Sequence, residues 1–371
     1  MMIEIPKTSR ASVIAEYNKP YEVREYPIPE IEPMSILVKV EMAGVCGTDV
    51  HQWQGKIGVR PQLPIVPGHE VVGKIVKMGA GRNTDVAGEP LGIGDRIMWP
   101  HVSCGKCYSC AINNQPNLCE RRFGYGFSHV GDYPYLTGSF AEYEYVVPNA
   151  DVVKVPDELL NEEVVGASCA FRTAVSAFER LGALGIQSSV VIQGCGPVGL
   201  YATLLAYEGG ASQVIVVGAP ALRLDLAKKW GAKHVINIDE IPDAANRKAE
   251  ILKLTNGRGP DIVVEASGAP IAFREGMDIV RRGGRYLIIG QSSMEAEQSI
   301  IPGLFMLKHL EVIGNGSASI SHFYKAIQFI KNNRHKYNFA DIITNKYSLY
   351  QVNEAINAMK AGKEIKPVIV P

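Results

Sequence analysis

The chain has 371 residues, 46 % of them hydrophobic and 20 % charged, and its 38 basic and 38 acidic side chains cancel to a formal net charge of zero. That is the composition of a globular protein of about two domains, and it gives no electrostatic reason to bind nucleic acid or an anionic membrane. No apolar run approaches the ~20 residues of a membrane-spanning helix, and the N-terminal MMIEIPKTSR has no apolar signal core, so a cytoplasmic location is expected. In that compartment cysteines stay reduced, and clustered ones suggest metal rather than disulfides.

Residues 1 to about 170 read as β-rich. The β-branched runs at 36–43 and 70–78, bounded by Gly and Pro, predict strands, and 94–99 and 140–147 continue the pattern. Short strands with many turns suggest a partly open barrel or sandwich. Between them, 44–70 (GVCGTDVHQWQGKIGVRPQLPIVPGHE) is rich in Gly and Pro and is expected to be irregular and able to wrap an ion. A largely buried helix is predicted over 162–181, and then the texture changes. Strand patterns at 189–194, 214–218, 234–238, 261–267 and 285–290 alternate with helical ones, the signature of a parallel sheet of βαβ units; a weaker strand is expected at 310–313. Helices at 320–332 and 352–360 and a strand at 367–370 end the chain.

Three stretches carry chemistry. In 44–70, Cys46 and His69 are a thiolate and an imidazole of the kind zinc prefers, while Thr48 and His51 put a hydroxyl and an imidazole beside them as a proton path. Cys104, Cys107, Cys110 and Cys119 match a closed, structural tetrahedral zinc site; the rival readings are an iron–sulfur cluster, disfavoured by the absence of a following Cys-Pro, and free thiols. Residues 194–199 (GCGPVG) directly follow a strand and open a helix. Gly194 permits the turn, Gly196 lets the backbone approach a pyrophosphate, Gly199 lets helix and strand pack, and Pro197 and Val198 start the helix whose N–H groups face the phosphates. The acid that binds a ribose 2′-hydroxyl is missing: the second strand ends in Gly218-Ala219-Pro220, and Arg223 follows, long enough to reach a phosphate or stack on adenine. Cys169, near the start of the sheet region, is either a core residue or a third ligand of an open zinc; Cys195 reads as a space-filling residue. The other histidines, His101 among them, show no ligand spacing and read as surface or satisfied groups.

With these motifs in this order over nearly its whole length, the chain resembles the zinc-dependent medium-chain alcohol dehydrogenases. The resemblance implies an α/β protein: a Rossmann-type doubly wound parallel sheet domain at 172–314, and a β-rich, barrel-like catalytic domain at 1–171 to which 315–371 returns. It implies Cys46, His69 and Cys169 as ligands of a catalytic zinc, Thr48 and His51 as the proton relay, and Glu70 and Asp49 as supports. It also implies Thr173 and Val198 near the nicotinamide, Ile289 among the cofactor-binding residues, Lys366 facing the pyrophosphate, and a homodimer or homotetramer. Two zinc ions and NAD are expected, with NADP left open by Gly218, and a small alcohol or carbonyl compound as substrate. Ile57 and Trp99 are expected to line an apolar pocket. The chain departs from the family in Gly218 and in a 110–119 spacer one residue longer than usual. Polyol dehydrogenases tend to carry Glu where Cys169 stands, so a simple aliphatic, cyclic or aromatic alcohol is favoured. A polyol or sugar dehydrogenase is the rival within the family, and a zinc- and nucleotide-binding protein without turnover the rival outside it.

Overall fold

A computed structural model describes residues 4–58, 60–290 and 296–371. The chain forms two compact units, one of Met1–Cys169 with Ala318–Pro371 and one of Ala170–Ser317. Among the described residues no helix is long and apolar enough to cross a membrane.

The first unit holds strands β1 (Thr8–Val13), β2 (Glu22–Pro27), β3 (Ile36–Gly44), β4 (Val71–Met78), β5 (Arg96–Met98), β6 (Tyr143–Val146) and β7 (Val153–Lys154). The second holds β8 (Ser189–Gln193), β9 (Gln213–Gly218), β10 (His234–Asn237), β11 (Ile262–Glu265), β12 (Arg285–Ile288) and β13 (Glu311–Gly314); β14 (Ile343–Tyr347) and β15 (Lys366–Ile369) return to the first.

In the first unit β1 and β2 form a separate antiparallel hairpin, and a larger sheet runs β14-β15-β3-β4-β5-β7 with β6 also on β3. β3 organises it. Its first half pairs with β6, its end with β15, and most of its length with β4, so Val38, Val40 and Ala43 are enclosed. Each of the two valines contributes roughly 1.5–3 kcal/mol by leaving water. Trp99 lies within this core, 2 % exposed, against Gly73 and edge-on to Tyr125. It is therefore a packing residue, and the expected place in a substrate pocket is corrected: the ring is consumed by the sheet interior.

In the second unit six parallel strands run β10-β9-β8-β11-β12-β13, the doubly wound order in which the chain starts in the middle and reverses direction between β8 and β11. Every residue of β8 is buried, as a strand covered on both faces requires. The helices Ala170–Leu181 and Pro197–Glu208 are joined by Phe171 stacked on Tyr201, ring centroids 4.3 Å apart.

Some elements differ from the sequence reading. The stretch 44–70 is not irregular throughout: Gly47–Trp53 is a helix. Its Gly, Thr and Val are poor helix formers, which hid it; the Cys46 N–H donating to Asp49 Oδ2 at 2.8 Å holds its first turn. The helix expected over 162–181 is broken into Asn161–Val164, a 3₁₀ turn Val165–Ser168, and Ala170–Leu181, with Cys169 between them at φ −143°, ψ −70°. β1, β2, β7 and β14 lie outside the predicted strands: each is very short or rich in charged and polar residues.

Candidate active site

Three distant segments of the first unit converge. Cys46 precedes the helix Gly47–Trp53, His69 and Glu70 lie just before β4, and Cys169 occupies the helix break. One donor atom from each of Cys46, His69, Glu70 and Cys169 lies within 4.8 Å of the others, and Cys46 Sγ is 3.5 Å from His69 Nε2. Two glycines make the approach possible. A Cβ on Gly44 would collide with Glu70 Oε2, and Gly68 (φ +94°) would collide with Ser139 and Phe140.

Supporting groups surround these donors. His69 Nδ1 faces Asp49 Oδ1 at 3.6 Å, which leaves Nε2 for a metal. Glu70 pairs with Lys366, both side chains fully buried. The Lys366 ammonium is enclosed in the first unit and held by Glu70.

The electrostatics fit a cation. Hydrogen bonding to Cys46 and burial raise the Cys169 thiol well above its usual value. Cys46 is also raised: the bond to Cys169 lowers it, and burial with the Asp49 and Glu70 charges prevails. Burial opposes the charge on His69, but Asp49, Cys169 and Glu70 together lift it to about 9. Buried thiols, an imidazole drawn towards positive charge, and Glu70 Oε1 and Asp49 Oδ1 buried without a hydrogen bond make a site whose missing partner is positive. Soft sulfur and imidazole donors suit zinc.

Thr48 and His51 lie on the helix Gly47–Trp53, three residues apart and so on one face, both half-buried. Ile57 is half-buried in the turn that follows. His101, which the sequence left as a satisfied histidine, does accept the Tyr125 N–H on Nδ1 at 3.0 Å, yet its ring is 5.7 Å from that of His69 and 5.9 Å from Phe127. No spacing announces this neighbour, because the fold and not the local chain brings it there.

The four-cysteine lobe is closed. The sulfurs of Cys104, Cys107, Cys110 and Cys119 lie within 4.8 Å of one another, with Cys107–Cys110 at 3.5 Å and Cys107–Cys119 at 3.9 Å. Zinc–sulfur bonds of about 2.3 Å in a tetrahedron require edges of roughly 3.8 Å. Backbone N–H groups of Glu120 and Cys110 pull Cys107 down to about 6, whereas burial and its neighbouring thiols push Cys110 up to about 12.

In the second unit, residues 194–199 turn from β8 into the helix Pro197–Glu208, with Gly194 at φ +101° and Pro197 in the first turn. A Cβ on Gly199 would collide with the Gly194 carbonyl, and one on Gly194 with Ser267. Glu265, unnoticed in the sequence, holds that neighbour: its Oε1 accepts from Ser267 N, Ser267 Oγ and Gly268 N at 2.6–2.8 Å. Gly218 ends β9 with no acid beside it, and Arg223 is half-buried in the helix Ala221–Lys229. Val198 and Thr173 are half-buried, and Ile289, just beyond β12, is buried.

A doubly wound sheet with a glycine-rich turn, a buried sulfur–imidazole donor set and a four-thiol lobe are together the marks of a zinc-type dehydrogenase. Residues 32–157 match the alcohol dehydrogenase GroES-like domain and residues 197–332 the zinc-binding dehydrogenase domain. Over 363 residues the chain is 35 % identical to 5-exo-hydroxycamphor dehydrogenase of Pseudomonas putida, covering 97 % of this chain and 98 % of that one. The solved structure of an alcohol dehydrogenase from Thermotoga maritima superposes with a TM-score of 0.90 at 33 % identity, covering 98 % and 99 % of the two chains. A Sinorhizobium meliloti chain solved with NADP bound gives 0.85 at 25 % identity over 99 % and 100 %. The chain belongs to the zinc-dependent medium-chain alcohol dehydrogenase family, and is an oxidoreductase acting on CH–OH groups with zinc and a nicotinamide cofactor.

Proposed function

We propose that the chain interconverts an apolar alcohol, cyclic and secondary by analogy with its camphor-alcohol relative, and the corresponding ketone. The observation that carries this reading is the buried cluster of Cys46, His69, Glu70 and Cys169, with Asp49 on His69 and Lys366 on Glu70. In it Cys46, His69 and Cys169 hold a catalytic zinc, and the four-cysteine lobe holds a second, structural one. When bound, zinc supplies the Lewis acid that lowers an alcohol's pKa, and the nicotinamide supplies the hydride acceptor.

The chain's own residues do the rest. Thr48 takes the hydroxyl proton, and His51, on the same helix face, releases it towards solvent. Asp49 keeps the His69 proton on Nδ1, so Nε2 stays a ligand. Glu70, charged because Lys366 outweighs the cost of its burial, balances the cation from behind. Phe127, packed against His101, adds apolar surface near His69, and Ile57 is proposed to line the same pocket, which favours hydrocarbon substrates over polyols. Gly218 neither binds a ribose hydroxyl nor repels a 2′-phosphate, so both NAD and NADP are accepted, with NAD somewhat favoured for want of a dedicated phosphate clamp.

The test is a panel of alicyclic, aromatic and linear secondary alcohols, polyols and sugars, run with both cofactors, together with elemental analysis. Two zinc ions per chain and the highest kcat/KM on alicyclic or aromatic alcohols are expected. One zinc, or iron, removes the two-site assignment; preference for polyols moves the chain to the polyol branch.

A further inference from the structure

We propose that Cys195 and Gly218 act as one specificity unit for the cofactor, the thiol standing where the side chain of an acid at the end of β9 would have to begin. The proposal rests on the reading that residues 194–199 bind the dinucleotide. It concerns why the expected acid is missing and what its absence is tied to.

A Cβ built on Gly218 lies 2.5 Å from Cys195 Sγ, 3.1 Å from Cys195 N and 3.2 Å from Cys195 Cβ. The sulfur has little freedom to withdraw. Cys195 is 2 % exposed, and its thiol donates to the Ala219 carbonyl at 3.2 Å, on the residue that follows Gly218. Turning the thiol breaks that bond and requires space that close packing denies it. Position 218 is therefore closed to any side chain while Cys195 stands opposite. The first variable position of the glycine fingerprint and the end of the second strand, twenty-three residues apart in sequence, must change together.

Charges of both signs lie near the pair. Arg223, in the first turn of the following helix, and Asp239, beyond β10, act on the thiol with opposite sign. Asp239 is exposed, and its neighbour Ile238 donates its N–H to the Gly218 carbonyl at 3.1 Å. With one cation, one anion and no acid on β9 itself, neither a 2′-hydroxyl nor a 2′-phosphate is strongly favoured.

The experiment uses the zinc-loaded full chain in four forms: wild type, Cys195→Ala, Gly218→Asp, and the double variant. Tm is measured for each, and Kd for NADH and NADPH is measured by nicotinamide fluorescence. Gly218→Asp alone should lower Tm and weaken both nucleotides by similar factors. The double variant should regain the Tm of Cys195→Ala and weaken NADPH at least about tenfold more than NADH. Where Gly218→Asp does not fold, Gly218→Ala in the two backgrounds reads the same coupling through Tm. The proposal is overturned if Gly218→Asp alone matches the stability and the NADPH rejection of the double variant, or if the Tm effects simply add. Wild type binding neither nucleotide would overturn the dinucleotide reading and this proposal with it, whereas binding without coupling overturns this proposal alone.

Discussion

Lys366 and Glu70 are each fully enclosed, so water can compensate for neither charge. Burial alone would neutralise both; their mutual attraction instead raises Lys366 and lowers Glu70. Removing one partner leaves an uncompensated charge in the interior. Lys366→Met is therefore expected to cost about 3–5 kcal/mol in denaturant unfolding, and Lys366→Met with Glu70→Leu to recover most of it. A single variant as stable as wild type would show that the pair carries no such weight. At the same scale, the transfer role proposed for His51 can be tested directly; its Nδ1 is buried and makes no hydrogen bond. His51→Gln should slow alcohol oxidation while leaving Tm nearly unchanged, and added imidazole should restore part of the rate. Loss that imidazole does not touch would remove His51 from the proton path.

Two elements hold cysteines for different purposes. The lobe around Cys104–Cys119 contains only a four-residue helix, Tyr108–Ala111, and a 3₁₀ turn, Pro116–Leu118, and it exposes Tyr108 and Ile112. It has little apolar burial with which to order itself, and the proposed structural zinc would couple its folding to metal binding. Cys107→Ser should lower Tm markedly and release one zinc. Cys46 instead sits where β3 leads into the helix Gly47–Trp53, in a unit stabilised by the core around Ile36, Val38 and Val71. Cys46→Ser should abolish turnover and lose the other zinc with a much smaller change in Tm. Equal destabilisation by the two substitutions, read by calorimetry with zinc analysis, would contradict the division of labour.

For the molecule as a whole, one buried acid shapes the dependence of stability on pH. Glu144 on β6 is wholly enclosed, with the Trp99 indole N–H as its polar neighbour. Burial raises it well above its ordinary value of 4.5, and the pull of the nearby Trp99 N–H does not reverse that. Above 4.5 the unfolded chain releases this proton while the folded one keeps it. The unfolded state then binds fewer protons, and stability falls as pH rises through that interval. Glu144→Gln removes the titration. Its stability advantage over wild type should be smallest near pH 4 and grow towards pH 8 in parallel denaturant series. Curves that stay parallel across that range would show that Glu144 does not titrate between the two states.

What the sequence determined by itself was local or periodic. Four cysteines within sixteen residues need only a short loop to meet, and the turn at 194–199 is dictated by three glycines within six residues. The alternation of strand and helix after residue 189 likewise follows from neighbouring side chains, and it yields the six parallel strands. Tertiary structure decided what depends on distant segments meeting. It broke a continuous helical pattern at Cys169 and set that thiol with Cys46 and His69. It put Lys366 on Glu70, 296 residues away, and His101 beside His69. It enclosed Trp99 in the sheet interior and pressed Cys195 against Gly218. Turn chemistry acts over a few residues and can be read along the chain; close packing and the pairing of buried charge act through space, and no spacing in the sequence encodes them singly.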